Sequence, residues 1–280
     1  ADVSPDTANI DPVAVEAAIG PRTKALVAVD FAGHPADLDA LSRIAQKYGL
    51  LLIEDAAHSL GSTYRGRQVG SIADITTFSF YPTKNITTAE GGAVAVRDPA
   101  MFERARLFAR QGIVRDPSRL VAKDEGPWHQ EVHHFGLNYR LPDVLAVLGE
   151  SQIQRLAEFK EKRQRIKSTY DQCLQGREEF VLPTQRDDVD PVWHLYPLRV
   201  LAAKRRRVFE ALRETGIGVQ VNYLPAYWHP AFKDLGYSRG LCPNAEEYYL
   251  REISLPIYSR LSDREQEYVV SSLLNAIEES

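Results

Sequence analysis

Leu50-Leu51-Leu52-Ile53-Glu54-Asp55 decides how this chain folds: an apolar run that ends in two acids reads as a buried strand surfacing at its carboxyl end. Upstream, Ala25 to Val29 reads as a second buried strand. Between them the residues from about Ala36 to Tyr48 read as a helix, with Leu38, Leu41, Ile44 and Ala45 on one face and Gly49 as its stop. Strand, helix, strand in that order is the pattern of parallel pairing with helices on the sheet faces, so an α/β fold is expected. Ligands of such sheets collect beyond the carboxyl ends of the strands, and Asp55 lies at such an end.

Working outward, Asp11 is placed to cap a helix with Pro12 in its first turn and Gly20 just past its end. Further strands are predicted at Ile75 to Phe80 and Ala93 to Val96, then a helix from about Ala100 to Arg110. Gly112 to Phe135 has no clean periodicity, and a loop of that length in a compact domain is often functional. One long helical pattern follows Pro142 and runs to about Leu174. Past Phe180 come a strand at Trp193 to Val200, a helix at about Lys204 to Thr215 and a short strand near Val219 to Val221. An aromatic, proline-rich loop follows at Asn222 to Gly240, then two closing helices, the second opened by the capping box Ser262-Asp263-Arg264-Glu265. The predicted division is a large domain over 1–155, a connecting helix over 156–180 and a smaller α+β domain over 181–280.

Hydrophobic residues make up 44% and charged residues 26%, which argues against a disordered chain, and no apolar run approaches membrane-spanning length. A net charge of -4 gives no general pull toward polyanions, so nucleic acid is not the expected partner. Lys204-Arg205-Arg206-Arg207 reads as a solvated helix face. Two cysteines, Cys173 and Cys242, form neither a disulfide framework nor a metal-type pair, so a reducing, cytoplasmic location is expected. His129, His133 and His134 cluster without cysteine or acidic ligands at a closed spacing, so no metal is expected and the loop over a substrate is their predicted place.

The chemistry is carried by two positions. Lys84 sits in Phe78-Ser79-Phe80-Tyr81-Pro82-Thr83-Lys84-Asn85, ahead of the pair Gly91-Gly92, and Asp55 closes the strand already described. A lysine that bonds to the cofactor aldehyde and a carboxylate that keeps the pyridine nitrogen protonated are what pyridoxal phosphate needs to act as an electron sink. Two small residues after the acid, in Asp55-Ala56-Ala57-His58, let a flat ring approach the backbone, and His58 could reach a ring oxygen. Gly91 and Gly92 read as close backbone packing.

The segments Glu54 to Gly61, Phe78 to Lys84 with Thr87-Thr88-Ala89-Glu90-Gly91-Gly92, and Gly136-Leu137-Asn138-Tyr139-Arg140-Leu141 resemble the DegT-type aminotransferases that act on nucleotide-linked keto sugars. Gly112-Ile113-Val114-Arg115-Asp116-Pro117, Gly126-Pro127-Trp128 and Val219 to Pro225 with His229-Pro230 are most similar to the branch making UDP-4-amino-4,6-dideoxy-N-acetyl-altrosamine. The resemblance implies the aspartate aminotransferase fold, pyridoxal phosphate fold type I. It also implies amino transfer, with glutamate as donor and a UDP-linked 4-keto-6-deoxy N-acetyl hexosamine as acceptor.

By the same resemblance Lys84 is the catalytic lysine and proton carrier, and Asp55 meets the pyridinium nitrogen. His58 meets the ring hydroxyl, Ala57 packs on the ring face and Ser79 donates to the cofactor phosphate. Asn138 is expected to reach the phosphate of a neighbouring subunit and Arg140 to stand at the mouth of that site, which implies a homodimer with shared active sites. Both also fit ordinary helix-start residues. Tyr223 and His229 fall in the segment that faces the sugar in relatives, with core or stacking roles open to either.

Tyr81 stands where close relatives usually carry histidine. The Gly-Thr turn and stacking aromatic found in an N-terminal segment of relatives are not matched after Ala1, so the large domain is expected to be N-terminally truncated here. Two rival functions follow from the same fold. A sugar dehydratase would replace Lys84 with histidine, and a non-catalytic regulatory protein would not need Asp55, Ser79 and Lys84 together.

Overall fold

A computed structural model describes residues 1–279. Strands Ala25–Val29, Leu51–Asp55 and Ile75–Ser79 lie side by side and parallel, with Val29 opposite Asp55 and Asp55 opposite Thr77. The predicted helix between the first two spans Leu38–Tyr48. Asp37 caps it by accepting from the Ala40 amide, and Gly49 ends it at φ 64°, a left-handed position that costs glycine little. Its buried stripe of Leu38, Leu41, Ile44 and Ala45 packs with Leu26, Ala28 and Leu52, which fixes that face of the sheet. Strand alternation then sends Leu52 and Glu54 into the core and Asp55 to the opposite face, which carries exposed Val27, Val29 and Val94.

The fourth strand, Gly92–Val96, departs from the parallel pattern and runs antiparallel to Ile75–Ser79. The connection between them carries no crossover helix, and a parallel return requires one. A Cβ at Gly92 would stand 2.5 Å from the carbonyl oxygen of Phe78, so the glycine is there for backbone approach, as its sequence context suggests.

Two hydrophobic clusters organise the interior. One gathers Val15, Leu26, Leu41, Leu52 and Tyr64 around the parallel strands; the other gathers Tyr170, Trp193, Leu198, Val208, Ile253 and Leu273 around the antiparallel pair Tyr196–Arg199 and Glu252–Leu255. The strand Glu252–Leu255 was not predicted; it lies between the two closing helices, Pro243–Arg251 and Asp263–Glu278. The second of these begins with the expected capping box. The strand predicted near Val219 is reduced to a single bridge between Gln220 and Ser254.

The long pattern after Pro142 is two helices, Asp143–Ile153 and Leu156–Leu174, broken at Gln154-Arg155 without glycine or proline. Their surroundings explain the break. The second helix docks Phe159, Arg163, Ile166, Tyr170 and Leu174, whereas the first buries none of its residues. One continuous axis would tie a docked helix to an undocked one.

Glu252 is wholly buried, accepting from the Asn222 amide at 2.6 Å and from the Ser254 hydroxyl. Burial pushes its carboxyl up to about 8. Because the folded value lies above the unfolded one, its stabilisation is full below about pH 4.5 and lost as pH rises toward 8. We expect stability to fall by about 1.4 kcal/mol per pH unit across that window from this group. Glu252→Gln, compared with the unsubstituted protein in urea melts at pH 5 to 8, should flatten that part of the slope; parallel slopes would refute the assignment.

Candidate active site

Lys84 sits in the turn that follows strand Ile75–Ser79, where its amide donates to the Tyr81 carbonyl at 2.9 Å. The next residue, buried Asn85, donates from Nδ2 to the carbonyl of His58 at 2.8 Å. That bond ties the lysine turn to the segment that follows Asp55, so the two motifs legible in the sequence are physically joined. Asp55 ends the neighbouring strand, and its Oδ1 accepts from the Ala57 amide at 3.1 Å.

The Lys84 side chain is half-buried and borders a cavity of about 830 Å³ shared with His194, Asn222, Tyr223 and Arg163. Burial lowers the Lys84 pKa from its ordinary value, and the Asp55 charge pulls the other way. His58 is buried and pushed down to about 3, by desolvation first and by the Lys84 charge second. It is therefore a neutral imidazole near neutral pH. Its ring lies 4.3 Å from that of His194, tilted at 38°, and 6.3 Å from that of Tyr223, against which it stacks. His194 is likewise held well below the ordinary histidine value, chiefly by burial.

The other predicted residues distribute as follows. Ala57 is half-buried beside Asp55, and Ser79 ends its strand half-buried, its hydroxyl accepting from the Tyr81 amide at 3.4 Å. Tyr81 and Tyr223 are exposed, and Tyr223 lines the Lys84 cavity. Asn138 and Arg140 are exposed and bonded to each other, Arg140 Nε donating to Asn138 Oδ1 at 2.7 Å. Arg140 opens on a separate cavity of about 340 Å³ with Arg106, Arg110, Arg115 and Arg119, which shares no lining residue with the Lys84 cavity. His229 is exposed at the start of the short helix Pro230–Lys233 and lines neither cavity.

The histidines of the long loop serve Glu131. His129 and His133 meet its carboxylate through Nε2 at 3.1 and 2.7 Å, and the amides of Val121 and Ala122 donate to it. Those amides, with the histidines, hold Glu131 down to about 2. One carboxylate thus staples the two sides of the loop together. Among the described residues no group of three or more histidine, cysteine or acidic side chains could hold a metal ion. Glu131→Ala should free the Val121 and Ala122 amides, and faster hydrogen exchange at those two positions, with unchanged exchange in the strands, would show it. Unaltered exchange would remove Glu131 from this role.

Residues missed in the sequence include Arg163, His194, Asn222 and Ser254, all of which line the cavity. Arg163 carried a signal: a charged residue on the stripe of Phe159, Ile166 and Tyr170, where an apolar one belongs. The others are brought in by chain segments whose strand and loop patterns say nothing about which way they face.

Pyridoxal phosphate fits this site. A desolvated lysine borders a cavity large enough for the cofactor, a carboxylate lies within its electrostatic reach, and Lys84, Arg163 and Arg260 outnumber Glu265 among the lining charges, which suits a phosphate. Among the described residues no helix is long and apolar enough to cross a membrane.

The model of the DegT/DnrJ/EryC1/StrS aminotransferase family matches residues 1–274. The chain is 38% identical over 99% of its length to a spore coat polysaccharide biosynthesis protein, SpsC, of Bacillus subtilis, covering 72% of it. It is 36% identical over 96% of its length to a UDP-4-amino-4,6-dideoxy-N-acetyl-beta-L-altrosamine transaminase of Campylobacter jejuni, covering 71% of that protein. Among solved structures, the PLP form of the putative sugar aminotransferase Spr1654 from Streptococcus pneumoniae superposes with a TM-score of 0.90 at 28% identity, over 99% of this chain and 74% of that one. The chain belongs to the DegT/DnrJ/EryC1/StrS aminotransferase family, and its cofactor is pyridoxal phosphate.

Proposed function

We propose that the protein transfers an amino group from glutamate to a keto-deoxy nucleotide sugar, a UDP-linked 4-keto-6-deoxy N-acetyl hexosamine, in surface-glycan or amino-sugar biosynthesis. The observation that carries this is Lys84: a lysine amine drawn out of water at the rim of the large cavity, with Asp55 close enough to act on its charge. When bound, pyridoxal phosphate supplies an electron sink for the carbon that gains or loses the amine. Lys84 would hold the aldehyde and Asp55 the ring nitrogen, with His58 toward the ring hydroxyl, Ala57 toward the ring face and Ser79 toward the phosphate.

The chain's own chemistry is proton movement at Lys84 Nζ. Desolvation lowers its affinity for a proton, so once the donor's amine had displaced it Lys84 Nζ would take the proton from the donor's α carbon and hand it on to the cofactor carbon, and with the acceptor it would carry a proton the opposite way. Neutral His58 offers a hydrogen bond without adding charge beside that amine. Tyr223 borders the cavity where the sugar enters, and His229 stands further out along the same segment.

Relatives support the acceptor class: the Campylobacter jejuni protein is named for a UDP-linked amino sugar and SpsC for polysaccharide synthesis. Helix Asp143–Ile153 supports a homodimer. Val144 and Val147 on it are 81% and 66% exposed, an apolar surface that a second copy would cover. Such pairing would carry Asn138 to the neighbour's cofactor phosphate and Arg140 to the mouth of its site. The test is incubation of the full-length protein with glutamate and candidate keto-sugar nucleotides, with product configuration read by NMR. Amination of a UDP-linked 4-keto sugar supports the reading; turnover of a different sugar nucleotide alone replaces the acceptor.

A further inference from the structure

Arg163 lies in helix Leu156–Leu174 at 6% exposure, and no carboxylate of the described residues pairs with it. Its hydrogen bonds all leave one terminal nitrogen: Nη1 donates to the carbonyl oxygens of Trp193 at 3.1 Å, His194 at 3.3 Å and Ile257 at 3.0 Å. Nε is sealed from solvent with no acceptor. Burying a guanidinium without a counter-ion is costly, and carbonyl dipoles offset that cost only in part. The exposed remnant of the side chain opens on the cavity that Lys84 borders. Arg163 is thus a positive charge held in place at one corner and left open toward the reaction space.

We propose that Arg163 forms the carboxylate subsite for the amino donor, with Nη2, the terminal nitrogen not spent on carbonyls, donating to the donor's carboxylate. This rests on the reading of an amino-acid donor given above. The donor must bring an anionic group into a cavity whose one acidic lining residue, Glu265, is already bonded to Ser262 at the start of helix Asp263–Glu278. Arg163 meets that need from a rigid position, because three carbonyls from two chain segments fix its head. Neighbouring His194 is neutral and so does not compete for the carboxylate. A charge-assisted bond in a desolvated corner is also where a carboxylate gains most over water.

The test uses the full-length holoenzyme and glutarate, a dicarboxylate without an amine, titrated calorimetrically beside UDP. In Arg163→Gln, glutarate affinity should fall by about tenfold or more while UDP affinity stays within about twofold. Arg260→Gln, at the other cavity arginine, should leave glutarate binding unchanged. Equal loss of both ligands with a lowered Tm would reduce Arg163 to a carbonyl clamp and overturn the proposal, as would unchanged glutarate affinity in a folded variant. Should Arg163→Gln not fold, phenylglyoxal modification of the unsubstituted protein decides: glutarate should protect Arg163 in peptide maps, and modification at the same rate with and without it refutes the subsite. Glutarate protection together with no turnover of glutamate would retain the subsite and reject only glutamate as donor.

Discussion

Lys84→Ala should abolish amino transfer, lowering kcat by roughly 10⁴-fold or more, because the covalent anchor and the proton carrier are the same amine. Lys84→Arg should fare no better: it keeps the charge, but a guanidinium does not give up its proton near neutral pH. The effect should be confined to chemistry. Asn85, whose bond to His58 holds the turn, is untouched, so the melting temperature should stay close to that of the unsubstituted protein. Single-turnover measurement with glutamate, together with borohydride reduction and peptide mapping, checks both points. Labelling at Lys84 and loss of turnover on its removal are the expected results. Label on another lysine, or turnover within tenfold of the unsubstituted enzyme, would defeat the assignment.

Asp55→Asn should lower kcat by about 10²- to 10⁴-fold while leaving the fold intact. The change removes one negative charge with almost no change in volume, and the Asp55 side chain accepts one hydrogen bond among the described residues, from the Ala57 amide, which an amide oxygen can still accept. What is lost is the charge that favours a protonated ring nitrogen in a desolvated site. The same charge opposes the burial of Lys84, so its removal should also let the lysine pKa drift further down. The acid limb of the pH–rate profile, read with saturating glutamate, should then move to lower pH. A kcat within tenfold, with no movement of that limb, would place Asp55 outside the chemistry.

Much of the parallel-strand region was legible because its signals are local. Two apolar runs flanking an amphipathic helix with Gly49 at its end allow few arrangements other than adjacent parallel strands, and the structure shows them in register. The capping box at Ser262 is a four-residue signal and was found where it stood. Lys84 and Asp55 were legible as residue types at strand ends. Three features escaped. The antiparallel direction of Gly92–Val96 depends on how its connection crosses the sheet, and the break at Gln154-Arg155 depends on which helix finds a partner surface. The strand Glu252–Leu255 is fully buried, so it has no alternating pattern to betray it beside the helices.

The sequence by itself pointed to the class of chemistry, because a lysine in the turn after one strand and an aspartate ending its neighbour stand in local motifs that resemble those of the DegT-type aminotransferases. Only the tertiary structure decided what surrounds that pair. His194 and Glu252 are kept neutral by burial, and Arg163 is held by carbonyls many residues away in the chain. Desolvation is a property of enclosure, which no local run of residues encodes, and it is enclosure that turns an interrupted apolar stripe into an anion-seeking corner of the cavity.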